Sequence, residues 1–250
     1  MDFLDSDLLN MKAEHWAAEL VDNNHGPIQL DAAALVVVDM QKDFLLPEGL
    51  LRVWGGPAII SNVSKLISAF HAASMPVFFT RHIYENPETD GGLTARWWNV
   101  DRDSLLLREG TWHAELHEAL TPGPGDRIIT KRRYSAFFGT DLELLLRTSG
   151  VQKIVIAGVC TNICCEATAH DAFFRDFNIY FLLDGTGATD EEAHISTLRN
   201  IALCYGHVIT VDQAIRGLNC STAEPVKEFD RTGNQLIEDA ARHTAATFNQ

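Results

Sequence analysis

The stretch "KIVIAGVCTNICCEATAHDA", from Lys153 to Ala172, decides the fold. The six residues after Lys153 are apolar and largely β-branched, which is typical of a strand buried on both faces of a sheet. The residues that follow hold three of the chain's five cysteines and lead into a segment with helical spacing. A buried strand, a short turn and a helix form the first part of a βαβ unit, so this stretch predicts a parallel sheet.

Similar apolar runs recur along the chain and alternate with helical patterns. The other five are "ALVVVD" (Ala34 to Asp39), "PVFFT" (Pro76 to Thr80), "RIIT" (Arg127 to Thr130), "IYFLLD" (Ile179 to Asp184) and "HVIT" (His207 to Thr210). Their unbroken hydrophobicity favours strands covered by helices on both sides. The series predicts a six-stranded, mostly parallel sheet.

Helices are indicated between these runs. Pro57 to Ala73 has apolar residues at helical spacing and a proline near its first turn. Thr140 and Thr189 are predicted to cap two further helices, which end near Gly150 and Gly206. The regular alternation predicts a doubly wound α/β fold with three layers, α/β/α, of the Rossmann-like type.

We place one domain at residues 31–222. Residues 1–30 are expected to form a helical extension and a linker, and residues 223–250 a C-terminal tail without a strand signal. The stretch from Arg81 to Gly110 is rich in Pro, Gly, Asp and Trp and is longer than a usual connection. Connections of that length are commonly lids or binding loops.

The overall composition is that of a globular protein, with 46% hydrophobic and 22% charged residues in a chain of 250. The formal net charge of −14 disfavours binding to nucleic acid or to an anionic membrane. No run of eighteen apolar residues is present, and the first twenty residues do not have the pattern of an export signal. Together with an odd number of irregularly spaced cysteines, this predicts a cytoplasmic protein.

Three chemically distinct groups follow strands of the predicted sheet. Asp39 ends the first strand, Lys131 follows the third, and the cysteine cluster follows the fourth. Taken singly, such an acid is often a cap, such a lysine is usually solvated, and such a cysteine is usually a small buried hydrophobe. Ligands of open parallel sheets bind beyond the carboxyl ends of the strands, so the coincidence of the three at one edge favours an active site.

Helix geometry separates the thiols of the cluster. With Thr161 as the N-cap, Cys164 and Cys165 lie in the first helical turn and diverge by about 100°. Cys165 shares its face with Ala169 and Ala172, which suits packing on the sheet. Cys164 is therefore the candidate nucleophile. The helix N-terminus and a nearby lysine are expected to lower its pKa from about 8.5 and ionise much of it at neutral pH.

Other uses of the cluster are less well supported. A zinc site normally takes two separated ligand pairs, whereas the spacing here is C-x-x-x-C-C with no second pair to complete four ligands. A disulfide within the cluster is disfavoured further. A thiol redox sensor and a catalytically silent binding domain on the same fold remain as alternatives.

These motifs resemble those of the isochorismatase-like cysteine hydrolases, which include nicotinamidases, N-carbamoylsarcosine amidohydrolases and ureidoacrylate amidohydrolases. The resemblance rests on "VVVDMQKDF", "KRRYSAFFGTDL" and "GVCTNICCEATAHDA", in that order, and covers roughly Ala33 to Ala214. It implies that residues 31–222 are a catalytic domain with the triad Asp39, Lys131 and Cys164. It is nearest to the N-carbamoylsarcosine and ureidoacrylate group.

The resemblance also implies finer details. A cis peptide is expected between Val159 and Cys160, so that the backbone N–H groups of Cys160 and Cys164 bind an oxyanion. Nicotinamidases of the family hold a metal through an Asp-x-His motif after the second strand, but His82 and Tyr84 occupy those places here. We therefore expect no metal and no other cofactor. Isochorismatases that cleave a vinyl ether lack the cysteine, which this chain has.

The expected activity is cleavage of a C–N bond in a small ureido or amide substrate, through a thioester or carbamoyl-enzyme intermediate. Nicotinamidase-like or isochorismatase-like activity is the alternative within the family. Phe44, Trp98 and Tyr134 are the candidates for the pocket wall, and Arg81 is the candidate for binding a substrate carboxylate. The resemblance also predicts a homodimer or a homotetramer.

Overall fold

The computed structural model describes residues 5–20 and 27–219. Its centre is a single sheet of six parallel strands in the order β3-β2-β1-β4-β5-β6. The strands are β1 (Ala33–Val38), β2 (Val77–His82), β3 (Arg127–Lys131), β4 (Lys153–Val159), β5 (Asn178–Gly187) and β6 (His207–Ile209). The strand order reverses between β1 and β4, and a ligand crevice opens at such a point.

Eight α-helices are described around this sheet. They are α1 (Ser6–Leu20), α2 (Lys42–Leu45), α3 (Ile60–Ala72), α4 (Gly92–Trp97), α5 (Leu142–Thr148), α6 (Glu166–Phe173), α7 (Glu191–Cys204) and α8 (Val211–Asn219). Helix α3 packs against α8 and helix α6 against α7. Right-handed crossovers place these two pairs on opposite faces of the sheet. The β1 strand between them is wholly buried, as its unbroken apolar sequence predicts.

The predicted fold class is confirmed, and the strand ends agree with the apolar runs to within one residue except at β2, which continues to His82, and at β5, which continues to Gly187. Two of these helix starts were predicted one residue too early, because Asp141 and not Thr140 precedes α5, and Asp190 and not Thr189 precedes α7. The carboxylate Oδ1 of Asp190 accepts the N–H of Ala193 at 2.8 Å, so Asp190 and not Thr189 caps α7. The reason is that Asp190 has the extended backbone that an N-cap needs.

The ends of the chain are only partly described. The predicted N-terminal helix is present as α1, and it packs against β5 and α7. The predicted tail at residues 223–250 lies outside the described residues. The long connection after β2 contains a π-helical turn, Pro87–Gly91, and α4, so it is more ordered than its composition indicated. No described helix is long and apolar enough to cross a membrane.

A glycine brings β1 and β4 close together at their carboxyl ends. Gly158 pairs with Val38 in the parallel register and has a φ of +116°. A Cβ atom at this position would lie 2.1 Å from the backbone oxygen of Val38. Glycine alone suits both the backbone angle and the contact. The residues that leave the two strands, Asp39 and Cys160, therefore start from adjacent points.

Candidate active site

A buried ion pair lies at the carboxyl ends of β1 and β3. The Nζ atom of Lys131 is 2.6 Å from Oδ2 of Asp39, and both side chains are fully buried. The hydroxyl of Thr80 donates to Oδ1 of Asp39 at 2.6 Å and accepts the backbone N–H of Asp39 at 3.1 Å. Lys131 also donates to the backbone oxygen of Arg133 at 3.0 Å. Each charge of the pair is thus compensated at its site.

The pKa of Lys131 follows from these contacts. Burial alone would lower the pKa of the ammonium group, but the negative charge of Asp39 and the neighbouring Cys164 raise it above its usual value. Lys131 is therefore charged throughout the neutral range. It supplies a fixed positive charge beside the carboxylate.

The cysteine cluster forms the turn between β4 and α6. The Val159–Cys160 peptide is cis, as the resemblance implied, and Thr161–Cys165 form one π-helical turn before α6. The Sγ atom of Cys164 lies within 4.8 Å of a carboxylate oxygen of Asp39 and of a ring nitrogen of His82. The structure thus brings Asp39, Lys131 and Cys164 together, and it places Cys165 in the core.

Two threonines hold this turn in place. Thr168 donates its hydroxyl to the backbone oxygen of Cys164 at 2.6 Å and accepts the N–H of Ala136 at 3.0 Å. Thr161 was predicted as the N-cap, but Cys160 occupies that position without a side-chain hydrogen bond. The hydroxyl of Thr161 instead lies 3.0 Å from Nδ1 of His194. The π-helical turn shifts the helix start and frees this hydroxyl for a tertiary contact.

The expected lowering of the thiol pKa is wrong. Burial raises the pKa of Cys164 to about 12, Lys131 lowers it in part, and Asp39 raises it again. The side chain is only 4% exposed, so the loss of hydration of a thiolate outweighs the attraction of the lysine. Cys164 is thus a neutral thiol at neutral pH. Burial also raises the pKa of Cys160 and Cys165, and all three thiols are free.

A partly open cavity lies over the thiol of Cys164. All three candidates for the pocket wall line it: Phe44 after β1, Trp98 after α4, and Tyr134 after β3. The indole N–H of Trp98 donates to the hydroxyl of Tyr134 at 2.9 Å, which ties the connection after β2 to the loop after β3. A mainly aromatic and aliphatic lining of this kind is typical of sites for small molecules.

The structure does not bring Arg81 to this cavity. Its guanidinium lies 3.5 Å from the hydroxyl of Thr130 on the neighbouring strand. Side chains alternate along β2, so Thr80 and His82 face Asp39 while Arg81 faces the other side of the sheet. The position of Arg81 at the end of an apolar run suggested a ligand contact, but this alternation turns its side chain away from the cavity.

Three residues around Asp39 were not predicted from the sequence to belong to the site. Thr80 and His82 flank Asp39 from β2, and the alternation along that strand was the available signal. Gln41 joins the exits of β1 and β2, because its Oε1 accepts the N–H of His82 at 2.7 Å and its Nε2 donates to the oxygen of His82 at 3.0 Å. No local pattern around Gln41 marks that contact.

A metal ion does not fit this site. Asp39, His82 and Cys164 are the one group of potential ligands found within the described parts of the chain. The carboxylate is already paired with the ammonium of Lys131 at 2.6 Å, so a divalent cation there would be repelled at close range. Tyr84 stands where the nicotinamidases have a histidine ligand, and burial raises the pKa of its phenol, which remains protonated.

Residues 33–213 match the model of the isochorismatase domain, and they include the cysteine turn and both members of the ion pair. The chain belongs to the isochorismatase family. It is a hydrolase of that family, as the sequence motifs predicted.

Individual relatives of the isochorismatase family are similar over most of the chain. Nicotinamidase 3 of Arabidopsis thaliana is 36% identical over 189 residues, which are 74% of this chain and 88% of the relative. Ureidoacrylate amidohydrolase RutB of Methylobacterium radiotolerans is 34% identical, over 74% of this chain and 80% of the relative. A solved cysteine hydrolase from Pseudomonas syringae pv. phaseolicola has a TM-score of 0.73 at 33% identity, covering 81% of this chain and 98% of that one.

Proposed function

We propose that the protein is a cysteine amidohydrolase that cleaves the C–N bond of a small amide or ureido substrate. The observation that carries the proposal is the contact set of Cys164, whose Sγ lies within 4.8 Å of the Asp39 carboxylate that Lys131 holds at 2.6 Å. The named activities of two relatives, a nicotinamidase and a ureidoacrylate amidohydrolase, support it. Both names describe hydrolysis beside a carbonyl group.

The first step is a proton transfer coupled to attack. Because the thiol of Cys164 is neutral, Asp39 takes its proton as the sulfur attacks the carbonyl carbon of the substrate. Lys131 keeps its charge and stabilises both the carboxylate beforehand and the sulfur as it becomes negative. At neutral pH the sulfur therefore becomes nucleophilic only when a substrate is present.

The carbonyl oxygen becomes negative in this step. We assign its stabilisation to the backbone N–H groups of Cys160 and Cys164, since both residues line the cavity and belong to one turn. Donors of this kind are worth about 3 to 4 kcal/mol each in other enzymes. Asp39 then gives its proton to the leaving nitrogen, and the C–N bond breaks to leave a thioester or a carbamoylated sulfur.

The second half restores the enzyme. Water enters after the amine or ammonia has left, and Asp39 accepts its proton as the oxygen attacks the acyl carbon. Collapse of the intermediate breaks the C–S bond, and Asp39 returns the proton to the sulfur of Cys164. The acid product leaves, and the ion pair of Asp39 and Lys131 is as before.

A redox role for the cluster is less well supported. Oxidation of cysteine follows thiolate character and exposure. Cys160, Cys164 and Cys165 are buried, and burial raises the pKa of each. These thiols react slowly unless a neighbouring base acts on them, and Asp39 is the base beside Cys164.

The test compares two adjacent cysteines. Cys164→Ala and Cys165→Ala are assayed for ammonia release from a panel of primary amides and ureido compounds. We expect Cys164→Ala to lose at least a thousandfold in kcat and Cys165→Ala to stay within about fivefold of the parent, because only Cys164 acts as the nucleophile. Equal losses in both variants, or full activity in Cys164→Ala, would overturn the proposal.

A further inference from the structure

The cavity over Cys164 has no net charge. Its lining is mainly aromatic and aliphatic, and no lysine or arginine side chain is among the described residues that form it. The charges beneath it belong to Asp39 and Lys131, which are fully buried and neutralise each other. The thiol of Cys164 is protonated. A charged group on a ligand would therefore enter this space without a partner of opposite charge.

The three arginines in β2 and directly after β3 are held elsewhere. Arg81 contacts Thr130 on the other side of the sheet. Arg132 pairs with the carboxylates of Glu85 and Asp90. Arg133 donates to the backbone oxygen of Asp90 at 3.0 Å. To bind a substrate carboxylate, one of these side chains would have to leave its partner.

One buried polar atom that lines the cavity has no hydrogen-bond partner among the described residues. It is the Nε2 atom of His82. Burial and the charges of Lys131, Arg133 and Arg132 hold the pKa of His82 well below its usual value, so the ring is neutral. It lies within 4.8 Å of both Cys164 and Asp39. An amide or urea group at the sulfur can satisfy this atom without bringing a charge.

We propose that the site is selective for uncharged amides or ureas whose polar end hydrogen-bonds with His82 and whose apolar remainder lies against Phe44, Trp98 and Tyr134. This inference rests on the proposed function and names its substrate class. It separates the protein from the relative whose named substrate, ureidoacrylate, is a carboxylate. A buried carboxylate without a counter-ion is strongly disfavoured, whereas an isosteric alkyl group gains from contact with the aromatic wall.

The test uses pairs of compounds in which an isopropyl group replaces a carboxylate. The pairs are isopentylurea with β-ureidopropionate, and isocaproamide with succinamate. We expect kcat/KM for the better neutral compound to exceed that for its acid at least a hundredfold. Equal rates within a pair, or faster cleavage of the acids, would overturn the inference. If the Cys164→Ala variant still releases ammonia from every compound that the parent cleaves, the proposed function is refuted.

Binding measurements distinguish a failure of the charge-selectivity inference from a failure of the proposed function. The same four compounds are titrated calorimetrically into the Cys164→Ala variant, which does not turn them over. Tighter binding of the neutral members, by at least tenfold, supports the charge selectivity even if none of the compounds is hydrolysed by the parent. Binding of the acids as tight as that of the neutral compounds, or binding by neither class, counts against it.

The role of His82 is tested with two substitutions. His82→Gln retains hydrogen-bonding groups, and His82→Leu keeps the volume without them. We expect His82→Leu to raise KM for the neutral substrate at least tenfold with a smaller change in kcat, and His82→Gln to recover most of that loss. Equal effects of the two variants, or a loss in kcat alone, would show that His82 does not position the substrate.

Discussion

The hydroxyl of Thr80 is expected to control the orientation of the catalytic carboxylate. It donates to Oδ1 of Asp39 at 2.6 Å and accepts the backbone N–H of the same residue at 3.1 Å, in a fully buried setting. Thr80→Val replaces the hydroxyl with a methyl group of similar size. A hydrogen bond to a charged group contributes about 1.5 to 3 kcal/mol, and the backbone N–H left without a partner costs about 1 to 3 kcal/mol.

These magnitudes affect stability and catalysis separately. We expect the variant to lose about 2 to 4 kcal/mol of unfolding free energy, because the contacts of one buried carboxylate oxygen and one buried amide are removed together. We also expect kcat to fall about 10- to 100-fold, which corresponds to about 1.4 to 2.7 kcal/mol in the activation barrier. We expect the second effect because, in the proposed mechanism, Asp39 must point at Cys164 to take its proton.

The assay pairs urea unfolding with ammonia release, and the neighbouring strand provides a matched control. Thr130→Val makes the same exchange one strand away, where the hydroxyl has only a 3.5 Å contact with Arg81. The control is expected to change unfolding by less than about 1 kcal/mol and kcat by less than about threefold. If Thr80→Val keeps parental kcat while the protein is folded, then Thr80 does not orient Asp39 and the reasoning fails.

Three further predictions follow from the site and the fold. The rate at which iodoacetamide alkylates Cys164, followed by mass spectrometry of its peptide, is expected to rise about tenfold per pH unit from pH 7 to 10. The reason is that the thiol pKa is about 12, and a plateau of the rate below pH 9 would contradict it. Dialysis against EDTA is expected to leave ammonia release unchanged, because the cation of Lys131 already occupies the carboxylate; a loss that zinc restores would disprove it. Gly158→Ala is expected to lower the unfolding free energy by more than about 2 kcal/mol in urea titrations, because its Cβ meets the oxygen of Val38 at 2.1 Å; unchanged stability would show that the strands can separate there.

The sequence predicts the parallel sheet of this protein well because the strands are buried on both faces. Such strands are continuous apolar runs, and residues that follow them meet at one edge of a parallel sheet. That is why Asp39 and Lys131 could be paired in advance although 91 residues separate them in the chain. The choice of Cys164 over Cys165 also followed from local helix geometry, and it did not depend on the exact start of the helix.

The parts that could not be predicted depend on tertiary burial. The sequence shows a thiol near a helix start and near a lysine, which suggests a lowered pKa, but it does not show that Cys164 is almost fully enclosed. Arg81 is a different case, because the alternation of side chains along β2, which the sequence does show, places it on the other face of the sheet. Gln41 belongs to the motif "VVVDMQKDF", but the motif does not show that its side chain contacts His82, which is 41 positions away in the chain.

Burial of the nucleophile has a consequence for how the enzyme discriminates. A thiolate that is present at rest reacts with any electrophile or oxidant that reaches it, whereas a thiol with a pKa of about 12 does so rarely. In the proposed mechanism, Cys164 becomes nucleophilic only when a carbonyl carbon is close enough for bond formation to accompany the transfer of the proton to Asp39. A ligand must therefore fill the neutral cavity before the sulfur is activated. Charge selectivity and activation of the sulfur then depend on the same event, which is entry of the ligand into the cavity. A carboxylate on the ligand disfavours that entry, and it thereby also prevents the approach of the carbonyl carbon to Cys164 on which the proton transfer depends.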